Sequence, residues 1–449
     1  MQTVPAETPI YARPAALLQQ LIRFDTSQPD GNEVACIAYI RDLLTAAGLA
    51  PQVLAGDPDH PNLVVRLPGR GEAPPLLLQG HVDVVTTAQQ TWQHPPFGGE
   101  EHDGYIWGRG SLDMKGGVAM MIAAVLRAHA AGMRPPGDVI LACLSDEEST
   151  GVHGAKFLVE QHPDLFEGVR YGLGEFGGFT LHMGGQRYYP VMVAEKQMCG
   201  LKVTLRGPGG HGALRHEGGA MAALGRVLTT LNRSRLPVHI TPIMAEMIRG
   251  LAAGLPAPFA AGIQALLDPT QTDAVLATVG PTGAALDPML HNTVNPTIVH
   301  GGTQVNVIPS AIELWLDGRV LPGYGPAAMV AEVGALLGPD AEIEVTLDET
   351  GAVTPNLALY PVLADILQAA DPDGRPIPYL FPAVTDGRIF ARLGIQTYGF
   401  LPMRLPPGFD FMATVHAADE RVPVDAIAFG ADAMYQALQR FGEARDQPS

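Results

Sequence analysis

The first third of the chain alternates strand-like and helix-like apolar segments, and this alternation limits the folds that it can adopt. Buried strands are predicted within PPLLLQGHVDVV (74–85) and GDVILACLSDEES (137–149), and a helix that ends at Gly132 is predicted for GGVAMMIAAVLRAHAAG (116–132). Strands that alternate with helices form a sheet flanked by helices. The sequence therefore predicts the α/β class.

The pattern changes near residue 199. From there LKVTLRG and AEIEVTL are typical of strands and GPGGHG of a glycine-rich turn, as in an α+β unit. The α/β pattern returns after residue 351. We therefore predict a domain made of residues 1–198 and 352–449, with residues 199–351 inserted as a second domain. A Pro- and Ala-rich stretch at about 236–290 is predicted to be a helical insertion within that second domain.

Composition and charge exclude several classes of function. The 449-residue chain has a formal net charge of −18 and no basic cluster, which argues against nucleic-acid partners and against binding to an anionic membrane. Its three cysteines are far apart in sequence, so they predict neither a disulfide framework nor a zinc knuckle. The N-terminus lacks the pattern of a signal peptide, and no apolar run approaches the roughly 20 residues of a membrane span. We expect a cytoplasmic protein.

Polar side chains follow the predicted strands at the points where the strands end. His81 and Asp83 stand two residues apart in an otherwise apolar run, where burial is costly unless the side chains are paired or bind a metal. Three acids, Asp146, Glu147 and Glu148, follow the next strand, and their mutual repulsion raises a pKa unless a cation is bound. Open α/β sheets bind ligands at this edge. A polar His–Asp pair and a solvated acidic turn are the structural alternatives.

Three further residues complete a candidate set of metal ligands. Asp113 lies between a glycine-rich segment and a helix, where it could instead be a helix cap. Glu175 lies among glycines and His416 precedes the closing helix, and a structural role would explain either one alone. Taken together, the imidazole and carboxylate ligands of His81, Asp113, Glu148, Glu175 and His416 suit zinc, and one shared carboxylate could bridge two ions about 3.5–4 Å apart.

Nine short motifs occur in an order that resembles a known family. They are GHVDVV, GRGSLDMKGG, DEES, GEFGG, GPGGHGA, NVIPS with DGR, TDGR and VHAADE. This series is similar to that of the co-catalytic zinc peptidases and amidohydrolases, which include aminoacylase, acetylornithine deacetylase, succinyl-diaminopimelate desuccinylase and bacterial glutamate carboxypeptidase. The resemblance implies a zinc-peptidase catalytic domain, in which helices flank a mixed sheet, and an inserted α+β lid and dimerisation domain. It also implies a homodimer formed through the inserted domain.

The resemblance implies a role for each candidate ligand. His81 and Glu175 would hold one zinc ion, Glu148 and His416 would hold the other, and Asp113 would bridge them. Each subunit would thus carry two Zn²⁺ ions, although imidazole and carboxylate ligands also accept Co²⁺ or Mn²⁺. The family pattern further implies a cis peptide bond between Asp113 and Met114.

The same resemblance implies the catalytic residues. Glu147 would be the general base that takes a proton from the metal-activated water. Asp83 would orient His81 from behind, as carboxylates do behind zinc-bound histidines. His211 in GPGGHGA would stabilise the oxyanion, in some relatives from the partner subunit. A turn residue in a glycine-rich loop is the structural alternative for His211.

Substrate recognition is predicted for three residues. Asn306 in NVIPS, Arg319 in DGR and Thr385 in TDGR match family positions that contact the carboxylate end of a substrate, and a guanidinium group suits a carboxylate. Structurally, Asn306 could be a turn residue and Arg319 a partner for Asp317.

The glutamate at position 175 and the DMKGG segment resemble the aminoacylase, deacetylase and carboxypeptidase branches of the family. We therefore predict a zinc-dependent hydrolase that cleaves the amide bond of a small-molecule substrate, either an N-acyl amino acid or a short peptide with a free carboxylate. A dipeptidase or carboxypeptidase is the alternative enzyme. A non-catalytic binding homologue is a third interpretation, but such proteins lose metal ligands, and here every ligand position is filled.

Overall fold

The computed structural model describes residues 8–29, 32–349 and 354–445. Two compact units divide the chain: the first contains Met1–Val193, Asn356–Tyr379 and Thr385–Ser449, and the second contains Ala194–Pro355 and Leu380–Val384. The domain boundary predicted at residues 351 and 352 lies outside the described residues. Within the described ranges, no helix has the length and apolar character needed to cross a membrane.

The strands are given first, in chain order. They are β1 Gln52–Leu54, β2 Asn62–Leu67, β3 Leu76–His81, β4 Glu100–His102, β5 Tyr105–Trp107, β6 Val139–Leu144, β7 Tyr171–Gly174, β8 Leu181–Met183, β9 Gln186–Glu195, β10 Gln197–Arg206, β11 Gly210–His211, β12 Thr293–His300, β13 Val307–Ile308, β14 Ala311–Val320, β15 Ala341–Asp348, β16 Gly374–Phe381, β17 Gln396–Gly399 and β18 Arg421–Pro423.

The α-helices follow in the same way. They are α1 Pro14–Ile22, α2 Val34–Ala46, α3 Lys115–Ala130, α4 Ala155–Gln161, α5 Gly219–Arg233, α6 Pro242–Gly254, α7 Ala257–Gln264, α8 Thr272–Thr278, α9 Pro281–Leu290, α10 Pro326–Leu337, α11 Tyr360–Ala370, α12 Gly387–Phe390, α13 Phe411–Thr414 and α14 Val424–Arg440. Short 3-10 helices lie at Ile10–Ala12, Pro163–Phe166, Ala265–Leu267, Ala391–Leu393 and Phe441–Glu443.

A mixed sheet forms the centre of the first unit, with the strand order β1-β2-β6-β3-β7-β17-β9-β16. Strands β6, β3, β7 and β17 run parallel to one another, whereas the pairs β1–β2, β2–β6 and β17–β9 are antiparallel. Helix α3 is buried on nearly all sides because it packs between this sheet and helices α1 and α14. The predicted α/β fold, a mixed sheet flanked by helices, is thereby confirmed.

The parallel strands place their carboxyl ends at one edge of the sheet. Strand β3 ends at His81, β6 ends just before Asp146, and β7 ends just before Glu175. Side chains that follow different strands in the sequence therefore meet in space, as ligand-binding residues of α/β sheets do. The cis peptide bond between Asp113 and Met114, which the family resemblance implied, is present at the start of α3.

The second unit is built on a four-stranded antiparallel sheet with the order β12-β14-β10-β15. Alternate residues of β14 are buried, as expected when one face of a sheet is covered. Helices α5 and α10 pack on this sheet, and its core includes Leu201, Val203, Leu314 and Met329. Helices α6 to α9 occupy most of the stretch between residues 236 and 290.

Candidate metal centre

Three side chains converge beyond the carboxyl ends of β3 and β7. The ligand atoms of His81, Asp113 and Glu175 all lie within 4.8 Å of one another. His81 Nε2 is 3.2 Å from Asp113 Oδ1 and 3.5 Å from Glu175 Oε2. All three residues are buried, so bulk water does not solvate their charges, and burial is costly unless those charges are paired or bind an ion. One imidazole and two carboxylates therefore form a group that can hold a divalent cation.

A second group shares one of these residues. Asp113, Glu148 and His416 bring their ligand atoms within the same 4.8 Å of one another. His416 Nε2 is 3.2 Å from Asp113 Oδ2 and 3.1 Å from Glu148 Oε1. Asp113 thus turns one oxygen toward each histidine. This arrangement suits two neighbouring ions with a carboxylate between them.

Electrostatics support a cation at these positions. Burial raises the pKa of Glu175 to about 8, and burial together with the charge of Asp113 raises the pKa of Glu148. Hydrogen bonds to Asp113 and Glu148 raise the pKa of His416 to about 10. Burial thus disfavours the ionised forms of Glu148 and Glu175, and the two neighbouring carboxylates favour the protonated form of His416. A nearby divalent cation favours ionised carboxylates and neutral imidazoles.

Asp83 lies directly behind His81. His81 Nδ1 donates a 3.0 Å hydrogen bond to the backbone oxygen of Asp83, and the nearest carboxylate oxygen, Oδ1, is 3.5 Å away. The other oxygen, Oδ2, accepts a 3.0 Å hydrogen bond from the backbone N–H of Glu148. Asp83 therefore contacts one residue of each ligand group, and its main chain, as well as its side chain, orients the imidazole.

Glu147 lies next to Glu148 but is not among the clustered ligand atoms. Burial, and next the charge of Glu175, raise its pKa well above the ordinary value of a glutamate. A carboxylate with a raised pKa holds a proton more readily than an ordinary glutamate, as a general base must do after it has taken one.

The family is settled by comparison with known proteins. The profile of Peptidase family M20/M25/M40 matches residues 77–440. The chain belongs to this family. Membership confirms the resemblance stated from the motifs and makes the chain an M20-family metallo-hydrolase.

Individual relatives are similar to this chain over nearly its whole length. Aminoacylase-1 from Sus scrofa is 26% identical over 446 residues, which cover 96% of this chain and 96% of the relative. An M20-family metallo-carboxypeptidase from Sulfolobus solfataricus matches with a TM-score of 0.68 at 15% identity, over 96% of this chain and 99% of its own. A dinuclear metal binding peptidase from Bacillus subtilis has a TM-score of 0.58 at 13% identity, over 96% and 98%. The two solved structures share the fold of this M20-family chain.

The M20-family site also contains a buried ion pair that sequence reasoning missed. Arg109 and Glu420 are almost fully buried, and Arg109 Nη1 donates a 2.6 Å hydrogen bond to Glu420 Oε2. Both residues lie inside recognised motifs, GRGSLDMKGG and VHAADE, but 311 positions apart. That separation hid the pair, since nothing local to either residue indicates its partner.

Asp386 is a second residue that sequence reasoning missed. Burial raises its pKa to about 7, and neither carboxylate oxygen has a hydrogen-bond partner in the part of the chain that the structure describes. Its charge also contributes to the raised pKa values of Glu147 and Glu175. Asp386 follows Thr385 in the TDGR motif, and this adjacency was the available signal.

Thr385 is buried in the first unit, where its Oγ1 accepts a 2.9 Å hydrogen bond from the backbone N–H of Gly387. The hydroxyl therefore contacts the first residue of α12. The backbone oxygen of Thr385 also accepts a 2.7 Å hydrogen bond from Arg388 Nη1.

The remaining predicted site residues lie in the second unit. His211 is exposed, and the backbone N–H of Gly212 donates a 2.8 Å hydrogen bond to the backbone oxygen of Asn306, so the segments that carry His211 and Asn306 are adjacent. Arg319 instead makes a two-pronged contact with Asp317, at 2.7 and 3.0 Å. Its guanidinium is thus held by a neighbour on the same strand, which is the structural alternative stated from the sequence.

Proposed function

We propose that this chain is a di-zinc hydrolase that cleaves the amide bond of an N-acyl amino acid or of a short peptide with a free carboxylate. The observation that carries the proposal is the position of Asp113, whose two oxygens face two different histidines. Similarity to aminoacylase-1 over 96% of both chains supports the substrate class.

The donor set fits the proposed metals. His81 and Glu175 would hold one ion, Glu148 and His416 would hold the other, and Asp113 would bridge them. Bound zinc ions would polarise the scissile carbonyl and lower the pKa of a water molecule toward about 7. Zinc is favoured because two imidazoles and three carboxylates are ligands that it accepts, and Co²⁺ or Mn²⁺ remain as alternatives.

Glu147 is proposed as the general base. Its raised pKa allows it to take a proton from the attacking water and to hold that proton until the amine leaves. Asp83 is proposed to fix His81 in the orientation that presents Nε2 to the metal, since Nδ1 is engaged by the Asp83 backbone oxygen.

The second unit is proposed to provide the lid and the dimer contact. In this proposal His211 donates a hydrogen bond to the oxyanion from the partner subunit of a homodimer, and the exposure of its side chain is compatible with such a role. Asn306, Arg319 and Thr385 are proposed to contact the substrate carboxylate, which for Arg319 requires release from Asp317. The cytoplasmic location remains a prediction.

The proposal is tested with Glu147→Gln and a panel of N-acetyl amino acids and dipeptides. We expect the variant to retain its metal and to lose about 10²–10⁴-fold in turnover on the best substrate. Glu160→Gln, at an exposed position of α4, is the matched control and should retain full activity. Near-normal turnover of Glu147→Gln would remove the base assignment.

The same panel distinguishes the alternatives. Preference for dipeptides over N-acetyl amino acids would indicate a dipeptidase or carboxypeptidase, in line with the similarity to the metallo-carboxypeptidase from Sulfolobus solfataricus. A metal-free preparation that zinc and cobalt fail to activate on any member would favour the non-catalytic binding homologue.

A further inference from the structure

A separate group of possible metal ligands lies on the small three-stranded sheet with the order β18-β5-β4 in the first unit. It consists of His94, Glu100 and His102, whose ligand atoms all lie within 4.8 Å of one another. Glu100 Oε2 is 2.8 Å from His102 Nε2 and 3.8 Å from His94 Nδ1. The group shares no residue with the candidate metal centre.

Local structure brings these ligands together. Glu100 and His102 stand two residues apart on β4, so their side chains project from the same face of the strand. His94 comes from the preceding loop, and its ring stacks on that of His102 with the centroids 3.9 Å apart. One carboxylate oxygen thus lies near a nitrogen of each of two stacked rings.

Trp107 supports both histidines from behind. Its ring meets the ring of His94 edge-on at 4.6 Å, and its indole N–H donates a 3.3 Å hydrogen bond to the backbone oxygen of His102. The side chains of His94, Glu100 and His102 are 26%, 45% and 42% exposed. The group therefore has an aromatic side chain on one side and is partly open to solvent on the other.

The donor chemistry selects the class of ion. Calcium and magnesium take mainly oxygen ligands, whereas two imidazole nitrogens and one carboxylate oxygen are a set that zinc accepts with water in its fourth position. Separations of 2.8 and 3.8 Å from Glu100 bracket the distance of about 3.3 Å between two ligand atoms that each lie about 2.0–2.1 Å from one tetrahedral ion.

We propose that His94, Glu100 and His102 form an additional Zn²⁺ site, distinct from the catalytic centre. Binding uses the neutral imidazoles and the ionised carboxylate, so a zinc ion replaces the hydrogen bond between His102 and Glu100. The ion closes the chain between residues 94 and 102 into a loop.

The site has a structural connection to His416. The backbone N–H of Gln93, next to His94, donates a 2.7 Å hydrogen bond to Asp419, and the Gln93 side chain donates one of 2.8 Å to the same carboxylate. Gln90 Nε2 donates a 2.9 Å hydrogen bond to the backbone oxygen of His416. An ion that restrains His94 therefore also restrains the segment that contacts residues 416–419.

The test is a calorimetric titration of Zn²⁺ into the zinc-loaded, full-length enzyme after excess metal has been removed. We expect one further equivalent to bind to the wild type, and we expect His102→Ala and His94→Gln each to lose it. Glu100→Gln should weaken this binding, whereas Glu101→Gln should leave it unchanged, because Glu101 is exposed on the adjacent position of the same strand.

The result is read as the difference between wild type and His102→Ala, so it does not depend on how many ions the catalytic centre holds. Equal binding by both proteins, or no further equivalent in the wild type, would overturn the proposal. Equal unfolding temperatures of the two metal-loaded proteins before the titration exclude misfolding of the variant, and His94→Gln serves if His102→Ala fails this check.

Discussion

Glu420 and Arg109 connect the backbones of two candidate metal ligands. Glu420 Oε1 accepts hydrogen bonds of 2.8 and 3.2 Å from the backbone N–H groups of Leu112 and Asp113. Arg109 Nη2 donates a 3.2 Å hydrogen bond to the backbone oxygen of His416, and its Nη1 binds Glu420. The buried pair therefore fixes the segments that carry the shared aspartate and the second histidine.

Breaking this pair should be costly. We expect Glu420→Gln and Arg109→Met each to lower the free energy of unfolding by about 3–5 kcal/mol, because each leaves an uncompensated buried charge or donor. Chemical denaturation of the metal-free proteins measures the change. Glu443→Gln, which breaks the exposed pair with Arg440, should change stability by less than about 1 kcal/mol. Equal effects of the buried and exposed changes would contradict this account.

Asp83 should influence metal affinity without being a ligand. We expect Asp83→Ala to weaken zinc binding by about 10–100-fold, as loss of residues behind a metal-bound histidine does. Competition with a chelator of known affinity measures the change. The variant should still orient His81 in part, since the backbone oxygen of residue 83 still accepts a hydrogen bond from His81 Nδ1. Unchanged affinity would leave Asp83 with a purely structural role.

Metal binding should release protons. Burial raises the pKa of Glu175 to about 8, so below that pH the metal-free carboxyl carries a proton that an incoming ion must displace. Zinc affinity is therefore expected to rise as the pH increases toward about 8. Calorimetric titrations in buffers with different ionisation enthalpies measure the released protons directly. The same number of released protons at every pH below 8 and above it would argue against this assignment.

Lys196 gives a pH dependence of stability with the opposite sign to that of most lysines. Its ammonium is buried in the second unit, where it donates 2.9 Å hydrogen bonds to the His291 backbone oxygen and to Thr293 Oγ1. Burial, and next the charge of Arg319, lower the pKa of Lys196 from 10.5 to about 7. Between these two values the unfolded chain binds more protons than the folded protein, so the contribution of Lys196 to stability rises with pH.

The Lys196→Met variant should lack this increase. The test compares the thermal unfolding of the variant with that of the wild type at a series of pH values from about 7 upward. Only the wild type should show the rise in stability with pH that Lys196 contributes. Lys202→Met is the control, because Lys202 lies on the same strand but pairs with Glu344 near solvent. A variant that follows the wild-type profile would show that the amine of Lys196 is charged in the folded protein.

His211 should act across a dimer. We expect His211→Ala and His81→Ala to be inactive separately and to recover partial activity when mixed, since one active site of the heterodimer would combine an intact metal centre with an intact His211. Native mass spectrometry establishes that heterodimers have formed. Heterodimers without activity would exclude a role for His211 in the partner's site.

The sequence predicted the elements that have simple periodicity. Strands β3 and β6 lie within the segments whose patterns predicted strands, and α3 overlaps the helix predicted for residues 116–132. The candidate ligand His81 was recognisable as a polar side chain at the end of an apolar run, whereas Glu175 was indicated only by its motif. Strands β9 and β16 were not predicted, since Pro190 in β9 and Pro378 in β16 weaken the strand signal.

Contacts between residues that are far apart in the sequence could not be predicted from the sequence. The pairing of Arg109 with Glu420 depends on the whole first unit, because 311 positions separate them. The pairing of Arg319 with Asp317 was recognisable as an alternative, since residues two apart on a strand face the same side. Asp386 combines both cases: its position in a motif was visible in the sequence, but the sequence did not indicate that its carboxylate is buried without a hydrogen-bond partner among the described residues.

The edge where β3, β6 and β7 end has an evolutionary consequence. The candidate ligands His81 and Glu175 lie at the ends of buried strands, so the positions of their atoms do not depend on the length of the loops that follow. Loops beyond the ligands can lengthen or change in sequence while the hydrolytic step is preserved. A lineage with this design can acquire new substrates by altering its surface, and its core need not change.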